Sequence, residues 1–123
     1  MDDGTARVIE LKQMVRQFCE DRKWDQFHNA KELVIGIVTE ASELLEALRF
    51  KSEAEVDELF ENEITAKVIR NELADVFYFA LRLAQKYDID VSSSLKEKIE
   101  QNAVKYPVDK ARGSNKKYTE LGT

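Results

Sequence analysis

Glu40 and Glu43 stand three residues apart in the run EASE, and Glu72 and Asp75 stand three apart in the run ELAD. On a helix, an i, i+3 pair projects from one face, a turn apart, so each run presents two carboxylates side by side. If the two helices face each other, all four carboxylates converge. Such groups repel one another and cannot all stay ionised in a half-buried seam without a cation. The donors are all oxygen, which selects a hard divalent ion, Mg2+ or Mn2+ in its place, over zinc or copper. A di-iron bundle is the other metal chemistry that helical carboxylates support. It uses Glu-x-x-His pairs, and the single histidine, His28, lies outside both runs. An isolated E-x-x-E match on a solvated helix face carries no chemistry, and Glu46, one turn beyond Glu43, reads as such a surface residue.

The elements that must position these groups are helices. The chain has four glycines and one proline, and sustained β-branched alternation is absent, which predicts an all-α fold. The spacing of Val8, Leu11, Val15 and Phe18 predicts a first helix over residues 5–21. A second is expected over 30–50, with an apolar stripe of Val34, Ile37, Val38, Ala41, Leu44, Leu45 and Leu48. Ser52 can cap a short helix in 52–63. A third long helix spans 63–86, and a fourth runs from a cap at Asp90 to Tyr106, where Pro107 ends it. On a wheel of about 100° per residue the stripes centre near Ala41 and Ala80. Glu40 then falls about 100° and Glu72 about 80° to one side, with Glu43 and Asp75 further round. Both pairs are therefore expected at the border of their stripes. The run VFYFAL, residues 76–81, is apolar around most of its helix. That is more than one small bundle buries, and it predicts self-association.

Composition bounds the remaining possibilities. A length of 123 residues predicts a single domain over 1–123, with 107–123 as a basic C-terminal tail. The net charge of −5 speaks against general nucleic-acid binding. No run approaches the roughly 18 apolar residues of a membrane span, and MDDGTARV lacks the form of a signal peptide. The lone Cys19 cannot form an internal disulfide and predicts a cytoplasmic location; on its apolar face it reads as a core residue. Charge is segregated along the chain. Residues 40–75 hold eleven acids against four bases, whereas 105–117 hold five bases and one acid. Lys98, Asn102 and Lys105, four and three apart, share one helical face.

The paired runs EASE and ELAD, separated by 28 residues, resemble the E-x-x-E…E-x-x-D signature of the all-α nucleoside triphosphate pyrophosphohydrolases, the MazG-like family. The likeness extends to DRKWDQFHNAKEL before the first pair and to KIEQNAVKYPVDKARGSNKKYTEL at the end. Both segments are similar to the small, single-domain branch that includes the dCTP pyrophosphatases.

The resemblance implies a four- to five-helix bundle of the all-α NTP pyrophosphohydrolase type, assembled as a homodimer or homotetramer. It implies Mg2+-dependent hydrolysis of a (deoxy)nucleoside triphosphate to the monophosphate and pyrophosphate, in nucleotide-pool house-cleaning, with the metal on Glu40, Glu43, Glu72 and Asp75. A triphosphate carries about four negative charges, so these acids can meet it only through a cation. Glu43 or Glu72 is the expected general base. Lys98, Asn102, Lys105, Arg112 and Lys117 would receive the phosphates. Trp24 and Phe50 stand where the family places aromatic rings against the base, and His28 is expected to pin the second helix. The chain departs from the family's usual residues at several positions. Phe50 stands in place of a tryptophan, Phe79 of a tyrosine, Val15 of a base-contacting histidine, and Ala30 and Glu32 of a proline and an asparagine. These departures bear on base preference rather than on catalysis. Two other readings fit a helical chain of this kind: a phosphoribosyl-ATP pyrophosphohydrolase-like enzyme, against which the tail argues, and a non-catalytic interaction or regulatory module, against which the intact quartet argues.

Overall fold

In the computed structural model, which describes residues 1–122, the chain forms α1 (Val8–Asp21), α2 (Ala30–Leu48), α3 (Glu53–Glu61), α4 (Glu63–Lys86), α5 (Val91–Lys105) and α6 (Val108–Ala111). Short 3-10 turns lie at Asp25–Phe27 and Tyr118–Glu120. Thr123, the last residue of the expected tail, lies outside the described residues. No strand occurs among the described residues, and none of their helices is long and apolar enough to cross a membrane. The four long helices and the short α3 match the sequence expectation. The sixth is a single turn, opened by Pro107 inside the segment read as a basic C-terminal tail.

Local chemistry sets the helix ends. Asn29 opens α2 by accepting from the Glu32 amide at 2.9 Å. Ser52 opens α3 in a reciprocal capping box with Glu55. Asn62 serves two helices at once. Its amide donates to Glu58 O at the end of α3, and its side chain accepts from the Ile64 and Thr65 amides at the start of α4. Thr65 Oγ1 reaches back across the joint to Leu59 O at 2.6 Å. Asp90 caps α5 through the Ser93 amide at 3.0 Å. Each such cap is worth about 1 kcal/mol. The first helix begins at Val8 rather than at residue 5 because Asp2, Gly4 and Thr5 close a turn of their own, with Gly4 N donating to Asp2 Oδ1. The second ends at Leu48, short of residue 50, because Arg49 turns extended and Phe50 enters the left-handed region at φ 65°.

The chain divides into two compact units, Met1–Ile89 and Asp90–Thr123. In the first, α4 is the central helix, packed along α2 and against α1 and α3. The seam of α2 runs through Leu33, Ile37, Glu40, Leu44 and Ala47, and that of α4 through Thr65, Ile69, Glu72, Val76, Phe79 and Leu83, all buried or half-buried. Alternating steps of four and three are the repeat of two helices packed along their length. This corrects the expected stripe on α2. Val34, Val38, Ala41 and Leu45 are exposed, Val38 at 60%. The helix is apolar on two adjoining faces, and averaging them displaces the apparent centre from the face that turns inward. Glu40 and Glu72 thus sit within the seams, not at their borders.

Gly36 lets α2 come close to α4. A Cβ at this position would lie 2.5 Å from the Phe79 ring, nearer than any carbon contact allows. Cys19, fully buried, sits where α1 meets α4, its Sγ 3.1 Å from the Tyr78 hydroxyl. It fills the core role expected of it, and burial together with the thiol holds the Tyr78 hydroxyl above the ordinary phenol range. In the second unit, the rings of Tyr106 and Tyr118 meet edge to face at 5.9 Å, and Lys105 Nζ lies 5.0 Å above Tyr118.

Candidate active site

Glu40 and Glu43 on α2 and Glu72 on α4 each bring one carboxylate oxygen to within 4.8 Å of the others. Glu40 and Glu72 are half-buried and Glu43 is exposed. One oxygen of Glu40 and one of Glu72 are enclosed and meet no hydrogen-bond partner. Burial pushes the Glu40 carboxyl up to about 7, helped by Glu43 and then by the charges of Asp75 and Glu72. Burial and the same two neighbours, Glu43 and Asp75, raise Glu72 as well. Asp75 is exposed and stands outside the tight group of three, near enough to act on it through its charge.

This arrangement fits a hard cation. A buried carboxylate oxygen without a donor costs about 1–3 kcal/mol, and acids gathered this closely disfavour one another's ionised forms. A divalent ion held by Glu40, Glu43 and Glu72 would remove both penalties, with Asp75 adding charge from the edge. The oxygen-only donor set suits Mg2+ or Mn2+.

A second polar cluster lies at the other end of the same helix pair. Arg82, 1% exposed, donates from Nε to His28 Nδ1 at 3.1 Å, from Nη2 to Asp25 Oδ1 at 2.7 Å and from Nη1 to the Gln85 side-chain carbonyl. His28 therefore does pin the entry to α2. Burial, and next the Arg82 charge, hold its imidazole below the ordinary range. Lys86, followed by Arg82, holds Asp25 below the usual carboxylate range. Sequence reading missed Arg82, because a lone arginine inside an apolar helix looks like a surface residue until its partners are known.

Trp24 lies before α2, its ring 5.6 Å from Phe18 and 6.3 Å from His28. Phe18 also lines an apolar recess of about 230 Å³ with Met14, Val15 and Tyr78. Phe50 lies beyond the other end of α2, 89% exposed, with the Arg49 guanidinium 4.4 Å above its ring. The two rings that the sequence paired thus bracket a helix of 19 residues, about 28 Å long. One chain does not bring them together. Lys98, Asn102, Lys105, Arg112 and Lys117 all lie exposed in the second unit, the first three on one face of α5.

Residues 35–121 match the profile of the MazG-like family. The chain belongs to the MazG-like family. This match takes in both acidic pairs and the basic segment and leaves out α1 and Trp24. A longer likeness includes them. The dCTP pyrophosphatase 1 of Rattus norvegicus is 31% identical over 112 residues, and that of Homo sapiens 30%, each match covering 91% of this chain and 66% of the relative. Among solved structures, a pyrophosphatase from Archaeoglobus fulgidus superimposes with a TM-score of 0.77 at 30% identity, over 87% of this chain and 98% of that one. The all-α architecture is therefore that of a MazG-like protein and of a known pyrophosphatase.

Proposed function

We propose that this MazG-like chain hydrolyses nucleoside triphosphates to the monophosphate and pyrophosphate, with Mg2+ held by Glu40, Glu43, Glu72 and Asp75. The observation that carries the reading is the pair of enclosed, partnerless oxygens on Glu40 and Glu72 beside Glu43. When bound, the ion supplies charge neutralisation and polarisation of the phosphoryl oxygens. The residues of the chain do the rest. Glu40 and Glu72, fixed in the α2–α4 seam, orient the site. Glu43, the exposed member of the group, has a path to solvent and is the favoured general base, with Glu72 the other candidate.

Lys98, Asn102, Lys105, Arg112 and Lys117 are proposed to receive phosphate, and Trp24 and Phe50 to flank the base. Because one chain holds those two rings at opposite ends of α2, a pocket using both forms only between copies. The exposed apolar faces of α2 and α4 favour such a homodimer or homotetramer. Nucleotide-pool house-cleaning in the cytoplasm is the setting that this chemistry suits.

The deciding experiment measures pyrophosphate release from the eight common nucleoside triphosphates with Mg2+, with Mn2+ and with EDTA. Monophosphate and pyrophosphate should appear with either ion, and EDTA should abolish the reaction. Release of orthophosphate and a nucleoside diphosphate would contradict the proposed cleavage position.

A further inference from the structure

Arg82 is the most enclosed charged side chain among the described residues, and the chemistry proposed above makes no use of it. Two of its three guanidinium nitrogens are committed to the turn that precedes α2, one to His28 and one to Asp25. Lys86 adds to the same turn, with Nζ 2.8 Å from the Asp25 carbonyl oxygen and 3.4 Å from its carboxylate. Asn29, the cap of α2, follows His28 directly. The start of α2 is thereby tied to α4 by charge-assisted bonds, which are roughly twice as strong as neutral ones.

The contacts between α2 and α4 descend in order along the pair. His28 meets Arg82, Gly36 meets Phe79, and Glu40 and Glu43 meet Glu72. The helices are antiparallel. Glu40 lies ten positions beyond Ala30, the first residue of α2, and Arg82 ten beyond Glu72, so the tie and the carboxylates stand about 15 Å apart along both helices. At one end like charges push the helices apart, and at the other opposite charges hold them together. We propose that Arg82 is a positioning residue for the carboxylate site. By tying the entry of α2 to α4 it sets the register that gathers Glu40, Glu43 and Glu72 before any cation arrives. This rests on the reading of those carboxylates as a metal site.

The test uses the full chain, with Mn2+ as probe, well below the melting temperature. Calorimetric titration gives its affinity for the wild type, Arg82→Met, Arg82→Lys and Glu43→Gln. Trp24, the only tryptophan, reports the state of the turn by fluorescence in the metal-free protein. Loss of a group that orients metal ligands costs 10–100-fold in affinity. Arg82→Met should therefore bind Mn2+ about tenfold or more weakly and shift Trp24 emission. Arg82→Lys keeps a charge opposite Asp25 but loses the planar donor to His28, and should fall between. Wild-type Mn2+ affinity in Arg82→Met, even with a lowered melting temperature, would overturn the inference and leave Arg82 a stabiliser only. Should Arg82→Met fail to fold, Arg82→Lys decides: shifted emission with unchanged affinity overturns the proposal, and weakened affinity supports it. If Glu43→Gln leaves Mn2+ binding unchanged, the metal reading itself has failed and this inference falls with it.

Discussion

Glu40 and Glu72, contributed by opposite helices, place carboxylate oxygens within 4.8 Å of each other, and each turns an oxygen inward where no hydrogen bond reaches it. A chain gains nothing in stability from this. Two acids in a helix seam occupy positions that leucines would fill to better effect, since apolar burial stabilises by about 25 cal/mol per Å² while an unsatisfied buried oxygen costs about 1–3 kcal/mol. The pair makes physical sense as a site completed by something else: a proton in the empty protein and, under the function proposed above, a cation.

The empty protein should therefore grow less stable as pH rises. The Glu40 carboxyl is raised from its ordinary 4.5 to about 7, so between these values the folded chain holds a proton that the unfolded chain has lost. Stability from this group is present below the unfolded value and disappears as pH climbs through about 7. Glu72 acts in the same direction. His28, lowered by burial and Arg82, acts in the opposite direction below its ordinary 6.5, so the informative quantity is a difference. In EDTA, Glu40→Gln should melt above the wild type at pH 8, and the gap should close toward pH 5. Thermal melts check this, and a gap that does not widen with pH rejects it.

Removing one charge from the site should separate metal ligands from bystanders. Glu43→Gln or Asp75→Asn should lower turnover by about 10²-fold or more, through lost positioning and electrostatic stabilisation, without lowering metal-free stability. Glu46 is exposed and paired with Arg49 at 3.3 Å, so Glu46→Gln should change stability by no more than about 0.5 kcal/mol and leave turnover close to wild type. Near-normal turnover in Glu43→Gln would make the cluster structural.

Close approach of the helices gives a third prediction. Gly36→Ala drives a methyl into the Phe79 ring, and overpacking of this kind costs about 1–3 kcal/mol. Phe79→Leu should relieve it, so that the double variant is more stable than the sum of the single effects predicts. Denaturant melts of the four proteins form the cycle. Strict additivity would show that a side chain at position 36 does not meet the Phe79 ring in solution.

Assembly follows from what is left uncovered. Val38 and Leu45 on α2 and Ile64, Leu73 and Phe77 on α4 are each more than half exposed, at 60%, 62%, 78%, 56% and 53%. Apolar side chains in such density mark an interaction surface, which the proposed homo-oligomer would cover. Sedimentation at micromolar concentration should give a dimer or tetramer, and a stable 14.2 kDa species would count against it.

Much of this architecture was legible in the residues, and the failures have physical causes. The starts of α3 and α5 were readable because Ser52 and Asp90 sit where caps belong. That each carboxylate pair shares one helix face was readable from spacing, whereas their convergence also needed the two helices to face each other. The depth of the pairs was not readable, because α2 is apolar on two faces and no periodicity distinguishes the face that meets α4 from the face left exposed. Arg82 was invisible for a related reason. Its burial depends on Asp25 and His28, more than fifty residues away, and nothing within its own helix marks it. Trp24 and Phe50 looked like partners in sequence, but counting residues along α2 places them a helix length apart.

Asn62 ends one helix and begins the next with no residue to spare, bonded in both directions. Such a joint has no slack. An extra residue inserted in the first turn of α4 would rotate all that precedes it by about 100° and advance it by about 1.5 Å relative to the rest of that helix. The acids of α3 would then aim elsewhere, and the bond from Thr65 to Leu59 would break. The α3–α4 corner thus accommodates a change of side chain more readily than a change of length. Among descendants of this chain, insertions and deletions should gather at the other end of α3, in residues 49–52, where the backbone already departs from helix before the next cap.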